Sequence, residues 1–84
     1  MSLVRIYTTR VCPFCHAAKQ LLGSLGAETE EIPLDADPDL RQRLSQDNGG
    51  WRTVPMIFIG DRFVGGFREL NDLHSRGELA ALLG

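Results

Sequence analysis

The chain reads as an α/β protein, a mixed four-stranded sheet flanked by helices in the order β-α-β-α-β-β-α. Three observations predict it. The β-rich run Leu3 to Thr8 gives way to a helical pattern that opens at Pro13. A second strand pattern followed by a second helical one comes next. Met56 to Val64 then reads as two short strands around Gly60-Asp61, a hairpin. Two strands joined through a helix call for a right-handed parallel crossover, whereas a hairpin adds antiparallel strands, so the sheet must be mixed.

Each element has its own signal. Leu3 to Thr8 places Val4 and Ile6 on one face and Leu3, Arg5 and Tyr7 on the other, as an interior strand requires. From Pro13 onward, Cys15, Ala18, Leu21, Leu22 and Leu25 recur at helical spacing, and Gly23, Ser24 and Gly26 mark where that helix stops. Glu28 to Leu34 is a poorer strand whose Glu28, Glu30 and Glu31 suit a sheet edge defended by charge. Asp37-Pro38-Asp39 reads as N-cap, first-turn proline and acidic first turn; Leu40 and Leu44 form one apolar stripe before Gly49-Gly50 ends the helix. Met56 and Phe58 alternate with Ile57 and Ile59 as core residues do, and no chemistry is assigned to them. Gly65-Gly66 closes the hairpin. A last helical stretch carries Leu70 and Leu73, pauses near Gly77 and resumes through Leu79, Leu82 and Leu83.

Composition narrows the function classes. Residues 1–84 are expected to form one domain, which buries about 60 to 65% of the surface of its unfolded chain and so acts on something brought to it. With 43% hydrophobic and 24% charged residues, a net charge of -2 and no single-sign block, nothing points to nucleic acid or an anionic membrane. Met1-Ser2-Leu3-Val4-Arg5-Ile6 lacks the apolar stretch of a secretory leader, and no apolar run approaches a membrane span. A reducing, cytoplasmic location is therefore expected. There, one close pair of cysteines points to catalysis or metal binding more than to a structural staple.

That pair is Cys12-Pro13-Phe14-Cys15, placed where the first strand passes into the first helix. Two cysteines three apart on a helix share a face and fall within the roughly 4.4 to 6.8 Å Cα separation a disulfide tolerates. Pro13 suits the first helical position, where its missing N–H costs no hydrogen bond, and that makes Cys12 the N-cap. Unpaired N–H groups and the positive end of the helix dipole then favour thiolate over thiol at Cys12. Cys15, one turn further in and facing the core, would act second and displace the first partner from a mixed disulfide. The ligand site is expected beyond the carboxyl end of the first strand.

Taken together, Tyr7-Thr8-Thr9 before the Cys-x-x-Cys run, Thr53-Val54-Pro55, and Gly65-Gly66 ahead of a helix resemble the glutaredoxins, in particular the short bacterial dithiol type. The likeness covers nearly the whole chain. It implies a thioredoxin-like fold and reduction of protein disulfides or glutathione mixed disulfides, with glutathione as co-substrate. It also implies that Pro55 is a cis-proline turning the Val54 backbone toward the cysteines, so that an extended substrate can pair there as an added strand. Backbone N–H groups at Phe67 and Arg68, opened up by Gly66, would meet the carboxylate at the γ-glutamyl end of glutathione. On the same basis Thr9, Arg10, Phe14, Thr53, Val54, Pro55, Gly66, Phe67, Arg68 and Glu69 are expected to contact glutathione, and a monomer is expected. Three positions depart from the family's usual pattern. Thr9, with Arg10 beside it, stands where a lysine is common; Gly65-Gly66-Phe67-Arg68-Glu69 replaces a Gly-Gly-Cys-Asp-Asp type of run; and Phe14 replaces tyrosine.

Other readings stay open at this level. Gly66-Phe67-Arg68 is similar to a segment of glutaredoxin-like electron donors that serve ribonucleotide reductase and are recharged by thioredoxin reductase. A different class of function is a module holding an iron-sulfur cluster between two subunits through Cys12 and glutathione. His16 and His74 could formally complete a zinc site with the cysteines, but the second pair lacks ligand spacing, and no metal is expected. Trp51 either rims the groove or caps the core. Arg41 and Arg52 are read as solvated charges, and Lys19, four residues past Cys15, as a surface lysine near the thiolate.

Overall fold

The computed structural model describes residues 3–84, so the leader-free reading of residues 1–2 lies outside the described residues. Its elements are β1 (Val4–Thr8), α1 (Pro13–Ser24), β2 (Thr29–Pro33), α2 (Pro38–Asp47), β3 (Met56–Ile59), β4 (Arg62–Gly65), α3 (Phe67–Ser75) and α4 (Leu79–Leu83). The order matches the sequence-based expectation except that the last helical stretch is two helices. Gly77 divides them at φ +74°. Its N–H donates to His74 O at 3.0 Å and the Glu78 N–H donates to Leu73 O at 2.9 Å, which together close a Schellman motif.

The sheet runs β2-β1-β3-β4, with β1 parallel to β2 and antiparallel to β3, and with β3 antiparallel to β4. Glutamate-rich β2 lies at an edge and apolar β1 lies inside, as their compositions require. Val4 and Ile6 of β1 are fully buried in one cluster with Ala18 and Leu22 of α1, Ile57 and Ile59 of β3, Leu70 and Leu73 of α3, and Leu79 and Leu83 of α4. Alternation sends Tyr7 to the opposite face. An aromatic row begins there, from Tyr7 to Phe58, Phe63 and Trp51, with successive ring centroids 5.7, 5.1 and 5.4 Å apart.

α2 is held differently. None of its residues is buried, and Leu40 and Leu44 are half-buried, so its start depends on Asp37, whose Oδ1 accepts from Leu40 N at 3.1 Å. No helix among the described residues is long and apolar enough to cross a membrane.

Candidate functional site

The cysteines lie where β1 delivers the chain to α1. Cys12 is the N-cap of α1, with extended backbone (φ -152°, ψ 93°), and Pro13 occupies the first helical turn. Cys12 and Cys15 are joined in a disulfide, their Cα atoms 5.2 Å apart. The Cys15 N–H donates to Cys12 Sγ at 3.1 Å, so one orphan donor of the helix start is already aimed at the first sulfur. In the reduced protein that donor and the positive end of the helix dipole would face the Cys12 sulfur, an arrangement that favours negative charge there. Cys12 is 7% exposed and Cys15 2%. The two thiols thus differ in access, with Cys12 nearer the surface and flanked by the exposed side chains of Val11 and Phe14.

The peptide bond between Val54 and Pro55 is cis, as the family likeness implied. It brings Val54 O to 3.7 Å from Cys12 Sγ. Beside it lies a groove of about 340 Å³. One wall is Phe14 stacked on Phe67, with centroids 6.3 Å apart and planes 22° apart. Trp51, Thr53, Val54 and Pro55 also line it, as do Gly66, Arg68 and Glu69 at the start of α3. Eight of the expected contact residues therefore share one groove. Of the two roles considered for Trp51, it takes the first: it rims the groove and packs edge-on against Phe63, outside the buried core cluster.

Gly65 is needed where it stands. Gly65 has φ +117°, and a Cβ there would meet Glu69 Cγ at 3.0 Å and Trp51 Cη2 at 3.2 Å. Glu69 itself is committed to the backbone: its Oε1 accepts from the Gly66 N–H at 2.9 Å, the one half of a capping box that a glycine N-cap allows. The next donors, Phe67 N–H and Arg68 N–H, have no intrahelical acceptor by virtue of their position in the first turn. A carboxylate in the groove would find them there.

Thr9 and Arg10 do not line this groove. They border a second, smaller hollow of about 130 Å³ together with Cys12, Cys15, Thr8, His16, Lys19, Glu31 and Asp35. The Arg10 N–H donates to Asp35 Oδ1 at 3.1 Å, which ties the loop before α1 to the segment after β2. His16 borders this hollow, while exposed His74 in the last turn of α3 does not.

The hollow also holds a cluster that sequence reasoning missed. Thr8, 2% exposed, donates its hydroxyl to Glu31 Oε2 at 2.8 Å. Lys19 Nζ donates to Glu31 Oε1 at 3.2 Å and to Oε2 at 3.3 Å. The Thr8 hydroxyl is the main cause that holds the Glu31 carboxyl below its ordinary value; Lys19 adds to it, and desolvation opposes it only in part. One signal was available in the sequence. Thr8 continues the inward-facing alternation of Val4 and Ile6, so a hydroxyl was due at a buried position and required a partner.

Comparison with known proteins agrees with this geometry. Residues 4–64 match the sequence model of the Glutaredoxin family. The chain is 47% identical over 83 residues to a glutaredoxin of Pseudomonas aeruginosa, covering 99% of this chain and 98% of that protein. It is 42% identical over 83 residues to glutaredoxin 3 of Escherichia coli K12, covering 99% of each. Among solved structures, the buckwheat glutaredoxin-glutathione complex superposes with a TM-score of 0.90 at 32% identity, over 98% of this chain and 76% of that one.

Proposed function

Because this chain belongs to the glutaredoxin family and is a thiol-disulfide oxidoreductase of thioredoxin-like fold, we propose that Cys12 is its attacking thiolate and Cys15 its resolving thiol. The observation that carries this assignment is Cys12 Sγ at the N-cap of α1, receiving the Cys15 N–H and standing beside the cis Val54-Pro55 bond at the groove. Cys12 attacks one sulfur of a substrate disulfide and the other sulfur leaves as thiolate. Cys15 then attacks Cys12 Sγ in the mixed disulfide, releasing the second partner sulfur and forming the internal disulfide.

Glutathione is the co-substrate this reading assigns. Two glutathione molecules restore the dithiol, one by forming a mixed disulfide with Cys12 and the other by cleaving it to glutathione disulfide. A mostly apolar groove bordered by free N–H donors at the start of α3 suits a tripeptide with a terminal carboxylate, and the buckwheat relative was solved with glutathione. Phe14, Thr53, Val54, Pro55, Gly66, Phe67, Arg68 and Glu69 would contact it directly, with Thr9 and Arg10 flanking from the neighbouring hollow. Protein disulfides and glutathionylated proteins are the proposed substrates, for a monomer acting in electron transfer in a reducing cytoplasm. The close cysteine pair and the absence of any other cysteine support that setting.

The test is Cys15→Ser. It should leave removal of glutathione from a glutathionylated peptide largely intact while abolishing dithiol reduction of a protein disulfide. Equal loss of both activities would overturn the roles. An NADPH-coupled assay with glutathione and glutathione reductase, against thioredoxin reductase alone, checks the reductant; turnover with thioredoxin reductase only would refute glutathione.

A further inference from the structure

The cluster of Thr8, Glu31 and Lys19 takes no part in the groove, yet it borders the same hollow as Cys12 and Cys15. Lys19 stands four residues after Cys15 on α1, so the two side chains share one helix face with Cβ atoms about 5 to 6 Å apart. Its ammonium is gripped by both oxygens of Glu31, and Glu31 is oriented in turn by the buried Thr8 hydroxyl. Cys15 is 2% exposed. When it ionises, water cannot solvate the thiolate fully, and fixed charges nearby decide how readily the proton leaves.

We propose that the Lys19–Glu31 ion pair, oriented by Thr8, sets the acidity of the Cys15 thiol and with it the rate at which Cys15 closes the internal disulfide. This rests on the assignment of Cys15 as the resolving thiol. In that step Cys15 Sγ gives its proton to water at the mouth of the hollow and attacks Cys12 Sγ. The bond between Cys12 and the partner sulfur breaks, and the partner leaves with the electron pair and takes up a proton. The Cys15 sulfur is oxidised and the partner sulfur reduced. Lys19 favours the Cys15 thiolate and Glu31 opposes it, so neither alone fixes the value. The other charged groups bordering the hollow are His16 on α1, Arg10 in the loop before it and Asp35 after β2. They are unchanged across the variants below.

The bland alternative is a staple between α1 and β2, and the sign of two shifts separates it from the proposal. Cys15 ionisation is read by thiolate absorbance against pH in the Cys12→Ser protein, where Cys15 is the single thiol. Lys19→Gln should raise its midpoint by about one pH unit, Glu31→Gln should lower it by a similar amount, and Lys19→Arg should leave it within about 0.3 of a unit. With both cysteines present, Lys19→Gln should slow internal disulfide closure at pH 7 about five- to tenfold, with Lys19→Arg restoring the rate. Shifts of the same sign, or any pattern other than these opposite ones, would overturn the proposal. Failure of the role assignment looks different: Cys15→Ser would then lose both activities equally, or keep protein-disulfide reduction, whatever the charge variants do.

Discussion

Gly65→Ala should damage this protein more than any ordinary glycine replacement in a turn. At φ +117° a Cβ is held in a sparsely populated backbone region, a strain of about 1 to 3 kcal/mol. The new methyl would also lie 3.0 Å from Glu69 Cγ, 3.2 Å from Glu69 Oε1 and 3.2 Å from Trp51 Cη2. Glu69 can move only by releasing the Gly66 N–H that it caps, a loss of about 1 kcal/mol. The sum is roughly 2 to 4 kcal/mol. Gly60→Ala is the matched control, since Gly60 has φ +59° and nothing within 4 Å of an added Cβ. It should cost only about 1 to 2 kcal/mol. Urea unfolding followed by the fluorescence of Trp51, the sole tryptophan, reads both variants as a lower midpoint at unchanged slope. Gly65→Ala should in addition raise KM for a glutathionylated peptide, because Gly66, Trp51 and Glu69 all line the groove. Equal midpoints for the two variants would refute the argument that close approach, and not φ alone, reserves position 65 for glycine.

Three further outcomes are expected. The folded Glu31 carboxyl titrates below its ordinary value of 4.5, so the stability it contributes is fully present above that pH and is lost as pH falls through the depressed value. Thr8→Val should therefore bring the Glu31 midpoint, read by NMR titration, back toward 4.5 and flatten the acid limb of the stability curve. Asp37→Ala removes the cap on a helix with no buried residue and should cost about 1 kcal/mol in urea unfolding. Phe14→Ala should change stability by less than about 0.5 kcal/mol, since the ring is 64% exposed, while steady-state kinetics show KM for a glutathionylated peptide raised roughly two- to tenfold.

The parts of this fold that were legible in the sequence are those decided by local chemistry. Cys12-Pro13 and Asp37-Pro38 announce helix starts because an N-cap acceptor satisfies one orphan N–H of the first turn and a proline at the first position removes another. The charged run of β2 and the apolar run of β1 announce edge and interior for the same reason. What was not legible depends on register and on packing across the sheet. Whether Glu31 faces Lys19 and Thr8 is decided by the crossover that lays β2 parallel to β1, which no window of either strand contains. The commitment of Glu69 to Gly66 was local yet missed, because a glycine N-cap breaks the Ser/Thr-x-x-Glu pattern by which such a helix start is recognised. Thr9 and Arg10 sit within three residues of Cys12, but the turn into α1 sends them to the hollow shared with β2, away from the groove beside Phe14.

That separation gives the cysteine pair two unlike surroundings. The groove offers aromatic walls, a cis-proline backbone and N–H donors, all suited to holding an extended ligand against Cys12. The hollow is too small for such a ligand, at about 130 Å³, but it concentrates Arg10, His16, Lys19, Glu31 and Asp35 around the two cysteines. On the proposed roles, dithiol reduction of a protein disulfide draws on both kinds of environment: one to orient the partner sulfur in line with Cys12, and one to govern when the buried second thiol becomes a nucleophile. Substitutions in the groove should therefore alter which substrates are taken, and substitutions in the hollow should alter how the captured substrate is released. Because Lys19 and Glu31 act with opposite sign on the same buried sulfur, the release step can be shifted in either direction without touching either cysteine.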